Sequence, residues 1–143
     1  MEEKKTKVMH DLLTGRKKVI RRGDLKYLPV SEMRIQMECV AEFRKLYPSL
    51  AEKGLLFRVA NERAAMQSTR PDDTGVVEGV SDLILLVPRK GYGALCIEMK
   101  RPDGEQSPAQ KRWEKAVTEV GYKYVVCHTI EEFVREVNIY LKG

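Results

Sequence analysis

Two short apolar runs joined by a glycine-containing turn constrain most strongly what this chain of 143 residues can fold into. The first run spans 83–87, the second spans 94–99, and the turn lies at 91–93. Short apolar runs bounded by turn residues are typical of buried strands. A connection this short joins antiparallel strands. The sequence therefore predicts an antiparallel pair over about 81–88 and 94–100.

Helix-start signals lie on both sides of this strand pair. Ser31 is typical of an N-cap, and we expect a helix from there to about Tyr47, where Pro48 ends it. Ser107 with Gln110 forms a capping-box pattern, which predicts a helix running to about 120. A second such pattern at 129–132 predicts the last helix.

Two further apolar segments complete the predicted sheet. Residues 55–60 and 122–127 are each typical of a short strand. The strand–helix–strand segment from 94 to 127 should form a right-handed crossover, which makes its two strands parallel. The prediction is one α/β domain over 31–143, in the order α-β-β-β-α-β-α, with a mixed sheet flanked by helices.

Charged side chains occupy one face of the second predicted strand. Side chains alternate along a strand, so Glu98 and Lys100 share a face while Met99 lies on the other. Unpaired burial of a carboxylate or an ammonium is costly. With Asp82 at the start of the preceding strand, a site for a divalent cation is one explanation. A strand-start cap at Asp82 and an ion pair between Glu98 and Arg101 form the structural alternative.

Two glutamates of the first helix compete as a further carboxylate of this site. Glu32 lies four residues before Gln36 and eight before Val40, on the stripe that we expect to face inward. Glu38 lies among charged residues on the face that we expect to be solvated. Helix geometry therefore selects Glu32.

These motifs together resemble the VRR-NUC family of the PD-(D/E)xK nuclease superfamily. The resemblance is carried by Ser31-Glu32 with Gln36, 79–83, 97–100 and 107–110, and it covers about 31–142. It implies a restriction-endonuclease-like α/β fold, of the stand-alone type that phages and prophages encode. It also implies a phosphodiesterase that uses Mg²⁺ or Mn²⁺. Ser81 stands where the superfamily pattern has proline, a residue that supplies backbone shape and no ligand.

The resemblance assigns a role to each site residue. Asp82 and Glu98 would bind the cation with the backbone carbonyl of Met99, since hard cations prefer oxygen ligands. Glu32 would complete the acidic cluster. Lys100 would orient the attacking water or accept its proton, two roles that the sequence leaves open. Gln110 would support the site, although the capping box alone also explains it.

The excess positive charge of the chain lies in its first thirty residues. Residues 1–30 contain nine Lys or Arg and four Asp or Glu, whereas the remainder contains seventeen of each. A basic arm often grips nucleic acid, and a solvated tail is the alternative. The candidate DNA-contacting residues are Arg16, Lys17, Lys18, Arg21, Arg22 and, in the loop before the site, Arg63.

Composition narrows the class of protein further. No apolar stretch approaches the ~20 residues of a membrane span, and the charged N-terminus differs from a signal peptide, so we expect no membrane association and a cytoplasmic protein. The three cysteines lack CxxC spacing, which argues against a zinc site.

The resulting hypothesis is a metal-dependent DNA endonuclease that acts in replication or repair. Stand-alone family members resemble junction resolvases and tend to be homodimers, which implies branched DNA such as a four-way junction as substrate. The first alternative is a non-catalytic DNA-binding module that uses the basic arm. The second is an interaction protein whose charged cluster is only a buried ion-pair network.

Overall fold

The chain divides into two units, Met1–Val30 and Ser31–Gly143. The computed structural model describes residues 31–60 and 75–143, together with the backbone of two N-terminal strands. Within the first unit, β1 (Lys7–His10) pairs antiparallel with β2 (Lys17–Ile20). This strand pair was not predicted from the sequence.

Several predicted DNA-contacting residues lie outside the described part of the chain. Lys17 and Lys18 belong to β2. The others fall outside the described residues: Arg16, Arg21, Arg22 and Arg63.

The first long helix begins and ends where the sequence predicts. Helix α1 spans Glu32–Leu46, and the Ser31 hydroxyl accepts a hydrogen bond from the Arg34 backbone N–H at 3.2 Å. Its inward stripe is confirmed, because Gln36, Cys39 and Phe43 are buried. A short helix that was not predicted, α2 (Pro48–Glu52), follows at once.

Four strands form the predicted mixed sheet. They are β3 (Leu56–Arg58), β4 (Leu83–Leu85), β5 (Leu95–Met99) and β6 (Lys123–Cys127), and this is also their order across the sheet. The first two pairings are antiparallel, and β5 pairs parallel with β6. The predicted parallel pairing of these two strands is therefore confirmed.

The last two helices, α3 (Pro108–Glu119) and α4 (Ile130–Lys142), start at the predicted caps. The box at Ser107 is complete, with both reciprocal hydrogen bonds present. At Thr129 only one of the two capping-box hydrogen bonds forms, the one in which the Thr129 hydroxyl accepts from the Glu132 backbone N–H. The Glu132 carboxylate accepts a hydrogen bond from the His128 backbone N–H instead. None of the helices in the described part of the chain is long and apolar enough to span a bilayer.

The hydrophobic core lies on one face of the sheet. Inward side chains of β4 and β5, such as Leu83 and Ile97, pack with Phe43 of α1 and Phe133 and Tyr140 of α4. Because side chains alternate along a strand, the other face of β5 carries Cys96 and Glu98. Helix α3 packs against the neighbouring β6, with the Trp113 and Tyr124 rings 6.1 Å apart. The fold thus gives the acidic positions a face separate from the main core.

Candidate active site

The pairing of β4 with β5 brings Asp82 and Glu98 together. Asp82 directly precedes β4, and its Oδ2 accepts a hydrogen bond from the Met99 backbone N–H at 2.9 Å. Burial raises the pKa of Asp82, and this N–H is the largest opposing influence. Burial, followed by the charge of Asp82, raises the pKa of Glu98 to about 8. The pKa of each acid therefore depends on the other acid.

Glu98 has one satisfied oxygen and one open oxygen. Its Oε1 accepts a hydrogen bond from Gln110 Nε2 at 2.9 Å and lies 3.4 Å from Lys100 Nζ. The residue is 1% exposed, and its buried Oε2 accepts no hydrogen bond from a donor group among the described residues. A hydrogen bond between the Glu98 and Asp82 carboxyl groups, which requires a shared proton, is one of the influences that raise the pKa of Glu98. A buried carboxylate oxygen without a partner is costly. This atom is the feature of the site that most requires an explanation.

Gln110 uses the two ends of its amide for different purposes. Its Oε1 accepts a hydrogen bond from the Ser107 backbone N–H at 2.8 Å, which completes the capping box. Its Nε2 donates to Glu98. The two interpretations that the sequence left open, helix cap and site residue, therefore coexist in one side chain.

Lys100 continues the polar face of β5 beyond the end of the strand. Its backbone N–H donates to the Cys127 carbonyl at 2.8 Å, and the residue is only 8% exposed. Glu98 is its ion-pair partner within the described residues. Arg101 pairs instead with Asp103 at 3.7 Å, so the alternative pair of Glu98 with Arg101 does not form.

Glu32 lies close to this cluster without joining it. Its charge contributes to raising the pKa of Asp82, and its Oε1 lies beside the Gly104 backbone. In the described ranges, no three His, Cys, Asp or Glu side chains are grouped as a metal site would require. The structure thus brings Asp82, Glu98, Lys100 and Gln110 together and leaves Glu32 at the margin.

The segment before Asp82 packs closely against helix α3 at a glycine. Gly79 has a φ of +82°, and a Cβ at this position would overlap the backbone of Ala109. Two residues later Ser81 is fully buried, and its hydroxyl donates to the Leu83 carbonyl at 3.1 Å. Only glycine fits this close approach, which fixes the segment carrying Asp82 against the helix carrying Gln110.

Three polar residues near the site were not predicted from the sequence: Gln106, Glu114 and Tyr124. Gln106 Nε2 donates both to Glu114 Oε2 at 2.8 Å and to the Tyr124 hydroxyl at 3.2 Å. Burial raises the pKa of Tyr124, and the charge of Glu98 raises it further. Tyr124 reaches this place because it pairs with Cys96 in the parallel register. No local sequence signal encodes that register.

The residues of the site suit a hard divalent cation. Two adjacent carboxylates supply oxygen ligands of the kind that Mg²⁺ and Mn²⁺ prefer. The open Oε2 of Glu98 and the raised pKa values of both acids indicate a shortage of positive charge, which a cation would supply.

A mixed sheet between helices, with two acids and a lysine on or next to β4 and β5, is the architecture of an α/β nuclease domain. The sequence model of the VRR-NUC domain matches residues 34–130. A solved structure described as a VRR_NUC domain protein superposes with a TM-score of 0.68 at 24% identity, covering 80% of this chain and 91% of that one. A search of curated proteins gave no significant match.

The chain therefore belongs to the VRR-NUC family, a family of nuclease domains. The predicted fold class is confirmed. Membership in a nuclease family implies that DNA is the substrate.

Proposed function

We propose that this chain is an endonuclease that hydrolyses phosphodiester bonds in DNA and requires Mg²⁺ or Mn²⁺. One observation carries the proposal: the buried Glu98 keeps an open oxygen beside Asp82 and Lys100. A network formed only for stability would give its most buried acid a donor group at each oxygen, whereas Glu98 has donors at Oε1 alone and can otherwise only share a proton with Asp82. Residues 31–143 form the nuclease domain in this proposal, and residues 1–30 grip DNA.

The cation would be held by Asp82, Glu98 and the backbone carbonyl of Met99, with Glu32 as a further acid at its margin. When bound, it supplies charge neutralisation at phosphorus and an acidified water. Gln110 fixes one oxygen of Glu98, which leaves the other oxygen for the cation. The Met99 N–H orients Asp82 in the same way.

Lys100 acts on the substrate side of this arrangement. Its ammonium group is largely withdrawn from solvent and is paired with Glu98. There it donates hydrogen bonds that orient the attacking water and stabilise the charge developing on the phosphate oxygens. The ion pair supports an electrostatic role for Lys100 rather than that of a proton acceptor.

The substrate we propose is branched DNA, such as a four-way junction, cut during replication or repair. Its support is the resemblance to stand-alone family members. A two-fold homodimer would present two sites to such a substrate, and two-fold pairing is the commonest form of oligomer. Light scattering on the purified chain tests the oligomeric state separately from activity.

A cleavage assay tests the function. End-labelled four-way junction, flap, nicked and linear duplex DNA would be incubated with Mg²⁺, Mn²⁺ or EDTA. Native protein would be compared with K100A and with K53A, which removes an exposed lysine. We expect metal-dependent cutting by the native protein and K53A, fastest on the branched substrates, and none by K100A.

Two results would contradict the proposal. Binding without cutting in every metal would favour the DNA-binding module, and deletion of residues 1–30 should then abolish binding. Cutting that survives in EDTA would exclude the metal-dependent mechanism.

A further inference from the structure

The described residues that line a groove between helix α1 and strand β3 include two arginines and no carboxylate. Its volume is about 410 Å³, and it is lined by Met37, Val40, Arg44, Leu56, Phe57 and Arg58. Strand β3 is the edge strand of the four-stranded sheet. The lining therefore combines positive charge with apolar surface at the border of the sheet.

Arg58 is held in this groove by a buried amide. Gln36 is only 7% exposed, and its Oε1 accepts a hydrogen bond from Arg58 Nε at 3.1 Å. This bond uses the inner nitrogen of the guanidinium, and within 31–60 and 75–143 no other side-chain hydrogen bond involves its two terminal nitrogens. No carboxylate among the described residues forms an ion pair with Arg58 or Arg44. A guanidinium oriented in this way is suited to a phosphate, which it binds with two parallel hydrogen bonds.

The groove lies on the α1 side of the sheet and borders the strand that presents Asp82. Arg58 pairs with Leu83 in the sheet, and the next residue, Val59, donates its N–H to the Asp82 carbonyl at 2.8 Å. On the helix side, Gln36 lies one turn beyond Glu32. The anchored arginine thus lies next to the strand that presents Asp82.

The second arginine is placed further along the same groove. Arg44 follows Gln36 by eight residues, which corresponds to about 12 Å along a helix. One DNA strand carries a phosphate every ~3.4 Å of axial rise. Arg58 and Arg44 are therefore placed to contact different phosphates of one strand. Phe57, which is 40% exposed, also lines the groove.

We propose that this groove binds the phosphate backbone of the DNA strand flanking the bond to be cut. Arg58 and Arg44 contact phosphates, and Gln36 is a positioning residue that holds Arg58. The inference rests on the proposed function, because it assumes that DNA reaches the Asp82 cluster. It adds a binding surface that lies within residues 31–143 rather than in the basic arm.

Fluorescence anisotropy with labelled duplex and four-way junction DNA in EDTA tests the groove without cleavage. Dissociation constants would be measured over a series of NaCl concentrations for native protein, R58A, R58K, R44A, Q36M and the double variant Q36M/R58A. The matched control is R34A, which removes an exposed arginine that pairs with Glu38 on another face of α1. Metal-dependent cleavage by the same proteins would be measured in parallel.

We expect R58A to weaken binding about tenfold at low salt and to reduce the slope of log affinity against log salt by about one. R58K should retain the slope and lose part of the affinity. Q36M should weaken binding in the native background and add nothing to R58A, whereas R34A should change neither quantity. A purely structural role for Gln36 would leave the salt slope unchanged.

The proposal is overturned if R58A and R44A bind DNA like the native protein while cleavage persists, and the proposed function then stands. If Q36M weakens binding equally with and without Arg58, its assigned positioning role is wrong. If the native protein neither binds nor cuts DNA, the proposed function and the groove fail together.

Discussion

The stability of the metal-free protein should depend on pH mainly through Glu98, the described acid with the largest shift in pKa. Burial, followed by the charge of Asp82, raises its pKa from 4.5 to about 8. A raised carboxyl pKa means that the folded state binds the proton more tightly than the unfolded chain does. The stabilisation that comes from this tighter proton binding is fully present below pH 4.5. It decreases as the pH rises from there and is lost once the pH has passed 8.

The size of the effect follows from the shift in pKa. Each unit corresponds to about 1.4 kcal/mol, so the free energy of unfolding should fall by on the order of 3 kcal/mol between pH 5 and pH 8. The substitution E98Q keeps the shape of the side chain and removes its ionisation. We therefore expect E98Q to gain about 3 kcal/mol relative to the native protein over this pH range.

Urea denaturation followed by circular dichroism, in EDTA at pH 5, 6.5 and 8, measures this difference. The control is E52Q, because Glu52 is exposed and has no ion-pair partner within the described residues. If native protein and E98Q lose stability in parallel across this range, the carboxyl group of Glu98 does not have a raised pKa in the folded protein.

The same variant separates a functional acid from a structural one. At a Mg²⁺ or Mn²⁺ concentration ten times the dissociation constant, native protein should gain about 1.4 kcal/mol of stability. E52Q should respond equally, and E98Q should not respond. A metal response that survives in E98Q would place the cation elsewhere.

Three further predictions concern residues around this acid. Q110E preserves the capping box but brings a second carboxylate to Glu98, so helix content by circular dichroism should be kept while cleavage is lost. G79A should lower the free energy of unfolding by at least 1–3 kcal/mol in urea titration, and by more than G54A, which has a similar positive φ but open space around it. K100M should abolish cleavage and, in urea titration, destabilise the protein at pH 8 more than at pH 5, because Glu98 then ionises without its ammonium partner.

Helix starts were predictable because their signals are local. The hydroxyls of Ser31, Ser107 and Thr129 each accept a hydrogen bond from a backbone N–H three residues ahead, so a few neighbouring residues decide the position. Helix α2 was missed for a related reason. Pro48 ends α1, but proline is also favoured in the first turn of a helix, so the same residue begins the next one.

The grouping of Asp82, Glu98 and Lys100 was predictable from strand alternation and a short turn. The contacts of Gln36 with Arg58 and of Gln106 with Tyr124 were not. The first joins a helix to a strand 22 residues away, and the second depends on the parallel register of β5 with β6. Such pairings are set by tertiary packing, which a pattern of local signals does not specify.

The two-ended use of Gln110 provides a diagnostic for related sequences. In an ordinary capping box, glutamate and glutamine serve equally well, because only a side-chain oxygen is needed. Here the other end of the side chain donates to the buried Glu98, and only an amide nitrogen can do so. Glutamine at this position therefore indicates a buried acid on the nearby strand. Under the proposed function, we expect a relative that carries glutamate at this helix start to keep its fold and to lose cleavage. The choice between nitrogen and oxygen at the end of this one side chain would then distinguish active members of the family from inactive ones.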